Sequence, residues 1–290
     1  MASKYVFQFF KFNESSYMKT TCWILLSFAV LISPSSGEDV SSVTPIPRGH
    51  AHNDYHQLRP LVDALEHGFC SFEADIYLVD GELLVGHNYI ELRPEKTLQK
   101  LYLDPLKDRC AKNNGRVYPD GPTVMLLVDI KTDEENVYKK LREVLQGYPE
   151  MLSGMNKDRY VQRGVEIVIS GGRPVDAIKN DKTRQVGIDG RLTDLDSDFP
   201  ADLMPLISDR WGSHFRWRGK GPMPTSEREK LHSIVEKAHA AGRRVRFWAT
   251  PESTDLWQEL LSADVDHINT DRLEKLRDFL LSHSIKHKEQ

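Results

Sequence analysis

The chain has 290 residues, 39% hydrophobic and 28% charged, a composition that suits a packed globular core rather than a low-complexity polymer. Its net charge of −4 offers no general attraction to nucleic acid, which disfavours that class of partner. The three cysteines form no cysteine–histidine cluster with zinc spacing.

The apolar run 23–32 comes first. It follows Cys22, has Lys19 upstream and is trailed by Ser33-Pro34-Ser35-Ser36-Gly37. The run is shorter than the ~20 residues a bilayer span needs, and small residues follow where a peptidase would cut. Residues 1–37 are therefore expected to be a removed signal peptide and 38–45 a short linker. A folded domain over 46–283 and a polar tail over 284–290 would follow, in a secreted protein. An uncleaved membrane anchor is the alternative for the leader. In an oxidising compartment Cys70 and Cys110 could pair, or remain two separate buried thiols.

From residue 46 onward short β-like runs alternate with helical patterns. Strands are predicted at 46–51, 70–78, 124–130, 165–170, 185–189, 206–209, 244–249 and 267–269. Helices are predicted at 59–67, 96–111, 134–145, 174–179, 226–241, 254–262 and 272–282, with 194–203 the weakest connection. Ser226 followed by Glu229 reads as a capping box. Eight strands with mostly helical connections imply an α/β fold, a single-domain (β/α)8 TIM barrel. No Gly-x-Gly-x-x-Gly follows the first strand, so a dinucleotide-binding fold lacks its fingerprint. Asp80-Gly81 between apolar alternations predicts a hairpin that returns the chain to Gly86-His87.

Several residues in this pattern carry chemistry. Glu73 and Asp75 are two apart, so on a strand they share one face. Two carboxylates in one buried space call for a cation, and oxygen ligands favour Mg2+ or Ca2+ over zinc. Asp129 ends the most apolar strand, 124–128, at the expected catalytic end of a barrel, and Lys131 points the same way. His52 follows the first strand and His87 the hairpin, both towards the same end as the carboxylates. Histidine suits acid–base work near neutral pH. His50 rivals His52 for the first role.

His52-Asn53-Asp54-Tyr55 is similar to the His-Asn-[Ser/Thr]-Tyr start of eukaryotic phospholipases C, where the Asn helps bind the metal. The passage from Ala64-Leu65 to Phe72-Glu73-Ala74-Asp75 resembles that of the glycerophosphodiester phosphodiesterases. Asp129-Ile130-Lys131-Thr132 is similar to the Asp-x-Lys-Thr of spider-venom phospholipases D. Arg246-Phe247-Trp248 and Ile268-Asn269-Thr270-Asp271 look like the last two strands of the same superfamily. The resemblance spans most of 46–280 and is strongest for the branch that includes the fungal altered inheritance of mitochondria proteins. It implies a PLC-like barrel hydrolysing a glycerophosphodiester or phospholipid headgroup. One divalent cation would be held by Glu73, Asp75, Asp129 and Asn53, with His52 and His87 catalytic. Lys131 and Trp248 would contact substrate. The glycerophosphodiesterases have His-Arg where this chain has His52-Asn53, so Arg48 or Arg173 is expected to replace the missing phosphate contact. The expected partner is a small-molecule or lipid phosphodiester, with at most peripheral membrane contact and a monomeric chain. The alternative is a non-catalytic barrel that binds a phosphorylated headgroup.

Overall fold

The computed structural model describes residues 43–286. The expected leader, Cys22 and the final residues of the tail lie outside them. In chain order the elements begin with β1 (Ile46–Ala51), α1 (Val62–Glu66), β2 (Phe69–Val79), β3 (Glu82–Val85), α2 (Asp104–Lys112), β4 (Val124–Ile130) and α3 (Glu134–Leu145). They continue with β5 (Gly154–Asn156), β6 (Arg159–Val161), β7 (Val165–Gly171), α4 (Val175–Asn180), β8 (Val186–Gly190) and β9 (Leu206–Arg210). The remainder are α5 (Trp211–His214), α6 (Thr225–Ala240), β10 (Arg244–Trp248), α7 (Thr254–Ser262), β11 (His267–Thr270) and α8 (Leu273–Lys286).

Strands β1, β2, β4, β7, β8, β9, β10 and β11 pair in parallel, and β1 bonds to both β2 and β11. The sheet therefore closes into an eight-stranded barrel and leaves no edge on these strands. The uninterrupted apolar sequence of β4 follows from this closure. Val124, Leu126, Val128 and Ile130 face outward into the main core, while Met125 and Leu127 point inward to meet Val168 and Leu206. Strands covered on both faces need apolar side chains at odd and even positions alike. Beyond that small apolar plug the barrel interior is polar. Inward positions of β1, β2, β8, β10 and β11 are His50, Glu73, Asp189, Arg246 and Asn269, all buried.

The expected hairpin is present: Val79 pairs with Glu82 across Asp80 and Gly81, both at positive φ. Other expectations need correction. Segment 194–203 is not helical; only the last residue of a short 3-10 turn, Leu192–Asp194, falls in it. Arg243 explains why, because its guanidinium donates to the carbonyls of Asp194 (2.7 Å), Ser197 (2.8 Å) and Phe199 (2.7 Å), which a helix would need for itself. The Ser226 capping box does not form. Helix α6 starts at Thr225 behind Pro224, which places Ser226 inside the first turn. Segment 96–111 opens with a π turn, Gln99–Leu103, before α2. The β5–β6 hairpin was not foreseen, because Lys157 rather than glycine supplies its left-handed residue. Cys70 and Cys110 are both buried free thiols, so the disulfide is not made. Trp211, Phe215 and Trp217 are buried, the first two stacked at 4.1 Å, and the segment packs onto its own barrel. Among the described residues no helix is long and apolar enough to cross a membrane.

Candidate active site

On β2 the alternation sends Phe72, Ala74 and Ile76 outward into the core and Glu73 and Asp75 inward. Strand β4 pairs in register, Asp75 with Asp129, so the third carboxylate arrives beside the second. One oxygen from each of Glu73, Asp75 and Asp129 lies within 4.8 Å of the others. Gly171, at the end of β7, has a φ of +66°, and a Cβ there would sit 2.4 Å from Asp129 Oδ1. Only glycine leaves that carboxylate its place.

Each carboxylate has one oxygen engaged by the protein. Glu73 Oε2 receives Arg246 Nη1 at 3.0 Å and lies 3.2 Å from His50 Nε2. Asp75 Oδ2 receives the Tyr55 hydroxyl and Lys131 Nζ, each at 2.7 Å, and faces His87 Nδ1 at 3.0 Å. Asp129 Oδ1 meets the same Lys131 Nζ at 3.1 Å. Asp75 Oδ1 is buried with no partner. Three carboxylates thus face two fixed cations, Lys131 and Arg246. A surplus of negative charge and a buried carboxylate oxygen without a donor suit a hard divalent cation, and this all-oxygen donor set fits one. Burial opposes ionisation of Glu73, but the Arg246 guanidinium and the His50 hydrogen bond hold it below the usual carboxylate range. Asp129 is pushed up to about 6 by burial, which the Lys131 charge opposes and the neighbouring Asp75 and Glu73 reinforce. Asn53, itself at positive φ, stands beside the cluster, with its Oδ1 2.8 Å from the Tyr55 hydroxyl oxygen.

The two expected catalytic histidines share one arrangement. His52 sets Nδ1 against Asp271 at 2.7 Å, and His87 sets Nδ1 against Asp75. Among the described residues neither Nε2 has a hydrogen bond, so both remain available at the carboxyl mouth of the barrel. Burial disfavours the His52 imidazolium, but Asp271 and the charge of Glu73 outweigh it and raise the pKa. His50 is different. It is fully buried, 2.6 Å from Ser71 Oγ and in contact with Glu73 and Arg246. Burial and the Arg246 charge push it down to about 3, which keeps it neutral. Geometry thus separates the rivals: His52 reaches the mouth and His50 supports Glu73 from below.

Trp248 ends β10 at the same mouth, partly exposed, with the Arg210 guanidinium 6.0 Å from its ring. Arg173 follows β7 and donates to the Asp189 carbonyl at 2.5 Å. Arg48 is a correction. It sits in the first half of β1, donates to the Val265 carbonyl at 2.7 Å and pairs with Asp264, both of which precede β11. In a parallel barrel those positions are at the amino end, so Arg48 is brought away from the other site residues. Three site residues received no role from the sequence: Tyr55, Arg246 and Asp271. Each stood in a quoted motif, and the inward alternation of Arg246 with Trp248 was the available signal.

A model described as the AIM6-like phosphodiesterase domain matches residues 38–189, and the glycerophosphoryl diester phosphodiesterase family matches 244–274. Altered inheritance of mitochondria protein 6 of Eremothecium gossypii is 29% identical over 82% of this chain and 70% of its own length. Its homolog from Arthroderma benhamiae is 27% identical over 79% and 82%. Among solved structures, a glycerophosphodiester phosphodiesterase from Parabacteroides distasonis is similar over 83% of this chain and 97% of its own, at 13% identity and a TM-score of 0.47. The first family model spans more than half of the chain, which therefore belongs to the AIM6-like phosphodiesterase domain family.

Proposed function

We infer that this chain is a metal-dependent phosphodiesterase that cleaves a glycerophosphodiester or phospholipid-headgroup ester by two-histidine acid–base catalysis. The observation that carries the reading is the pair of open Nε2 atoms, on His52 and His87, beside one cluster of three carboxylates. When bound, a magnesium or calcium ion held by Glu73, Asp75 and Asp129, with Asn53 at its side, supplies positive charge against a phosphate oxygen. Lys131 adds a fixed positive contact for the phosphate from within the same cluster. One histidine takes the proton of the attacking hydroxyl, from water or from the substrate itself, at Nε2. The other returns a proton to the leaving alkoxide as the P–O bond breaks. A substrate hydroxyl adjacent to the phosphate would give a cyclic phosphate first. Asp271 and Asp75 fix the ring orientations through Nδ1.

The test is hydrolysis of bis(p-nitrophenyl) phosphate and of glycerophosphodiesters with Mg2+ or Ca2+, then with a chelator. Turnover is expected only with the ion. His52→Ala and His87→Ala are each expected to cost ~10²–10⁴ in kcat with the fold intact by circular dichroism. Full activity in both variants would overturn the assignment, and wild-type protein that binds these diesters without turnover would be a binding barrel instead.

A further inference from the structure

The carboxyl mouth of the barrel is flanked by two surface features that the phosphodiester chemistry leaves unused. The first is apolar. Among the described residues the exposed large hydrophobic side chains are Leu58, Val62, Tyr89 and Ile90. Leu58 and Val62 follow β1, and Tyr89 and Ile90 follow the β2–β3 hairpin, so all four stand on two adjacent segments at one rim. Leu58 is 93% and Ile90 86% exposed, which makes both side chains projections rather than margins of the core. A bridge joins the two segments: His56 Nε2 lies 3.2 Å from Glu91 Oε2, which also accepts the His87 amide at 2.9 Å. Arg93 Nη1 closes the second turn by donating to the carbonyls of Ile90 and Leu92, each at 2.8 Å.

The second feature is cationic. The connection 211–224 after β9 carries Arg216, Arg218 and Lys220, all exposed, and no acidic residue. Among the described residues none of the three forms an ion pair. The aromatic residues between them set this display. Trp211 stacks on Phe215 in the core, Trp211 Nε1 donates to the Trp217 carbonyl at 2.9 Å, and Trp217 Nε1 donates to the Lys220 carbonyl at 3.2 Å. The rings turn inward and the charges outward. Around the closed barrel β9 stands four strands from β2 in either direction, so the cationic loop faces the apolar segments across the mouth. A surface that spans the mouth must therefore accept isolated apolar prongs on one side and offer anions on the other. A folded protein partner needs a contiguous apolar patch, whereas Leu58 lies between Gln57 and Arg59, and Ile90 precedes Glu91. Nucleic acid offers the prongs nothing. An anionic phospholipid surface meets both demands, because its interface takes in single apolar side chains and its headgroups attract Lys and Arg.

We propose that the carboxyl rim is a docking face for an anionic phospholipid bilayer, with Leu58 and Ile90 inserted into the interface and Arg216, Arg218 and Lys220 against the headgroups. The docked barrel presents its mouth to the lipid, and the face stands whether or not the site turns over a diester. The experiment sediments the full chain with vesicles of phosphatidylcholine, alone or mixed with phosphatidylserine. Wild type is compared with a Leu58→Ser, Ile90→Ser double variant and an Arg216→Gln, Lys220→Gln double variant. All chains carry residues 1–42 unchanged, so the ratios between them report on the rim. The apolar variant is expected to partition ~10–100-fold more weakly onto the mixed vesicles, the effect of two side chains kept in water. The charge variant is expected to lose ~10–30-fold on mixed vesicles at low salt, and little on phosphatidylcholine or at high salt. Hydrogen exchange gives a second readout that locates the contact. Mixed vesicles should slow exchange in 56–62, 87–93 and 212–221 of wild type, and leave the loops at the amino end unchanged. Equal partitioning of wild type and both variants, or vesicle-bound protein with these segments unprotected, overturns the docking face. A dimer in sedimentation velocity that the Leu58→Ser, Ile90→Ser variant dissociates also overturns it and gives the rim to a second copy.

Discussion

Arg246–Glu73 and Arg228–Glu259 join the same two side-chain types in opposite surroundings. The first pair lies inside the barrel, with side chains 3% and 6% exposed. The second ties α6 to α7 on the outer layer, at 40% and 19% exposed. By geometry the outer pair is better, a two-pronged contact at 2.8 and 2.5 Å against a single 3.0 Å contact inside. Environment reverses that ranking. Water solvates either outer partner if the other is lost, whereas the barrel interior leaves a survivor charged and unpaired. The inner arginine also holds Glu73 Oε2 on a carboxylate that belongs to the cluster, so the contact acts on chemistry as well as on folding.

The largest effect is therefore expected from Arg246→Met, which strands the buried Glu73 charge. A loss of ~3–5 kcal/mol in unfolding free energy is expected by urea titration in chelator. Added Mg2+ or Ca2+ should recover part of it, because a cation bound to the native state supplies the missing charge and shifts the equilibrium by mass action. A loss no larger than that of Arg228→Met would break the comparison at its root. Next in size is Asp271→Asn, which removes the carboxylate that fixes His52 through Nδ1. Asp271 is largely exposed, so stability should change little. Its loss is expected to lower kcat about 10–100-fold, short of the full acid–base contribution of His52 itself. Unchanged kcat would mean that His52 needs no orienting partner.

The sequence made one half of this comparison legible. A spacing of two on a strand brought Glu73 and Asp75 to one face, the position of Asp129 at the end of an apolar strand took it to the catalytic rim, and Asp80-Gly81 located the turn that returns His87. All of these are local rules. The partners were not local: Arg246 meets Glu73 across 173 residues and His52 meets Asp271 across 219. Periodicity gives a residue its face, and only the closed barrel decides which strands oppose each other. Arg48 shows the same limit from the other side. Its residue type suited phosphate, but its place in the first half of β1 directs it to the amino end. The missing 194–203 helix was likewise invisible, because Arg243, more than 40 residues away, takes its carbonyls.

The smallest effect belongs to the outer pair, and pH gives it a signature. The Arg228 hydrogen bond holds Glu259 below its ordinary value of 4.5, against the opposing effect of burial. A carboxyl whose folded pKa is depressed contributes stability above its unfolded pKa and loses it as pH falls through the folded value. The contribution of Arg228–Glu259 should thus be complete at pH 7, start to fade near 4.5 and be gone once Glu259 is protonated in the folded state as well. Arg228→Met is expected to lower the Tm by less than about 2 °C at pH 7, since exposed pairs are screened by water and salt. The difference from wild type should close below the acid transition, and raised salt should shrink it at neutral pH. A Tm difference that persisted undiminished in acid would mean that Arg228 acts through the packing of its aliphatic stem against α7 rather than through its charge.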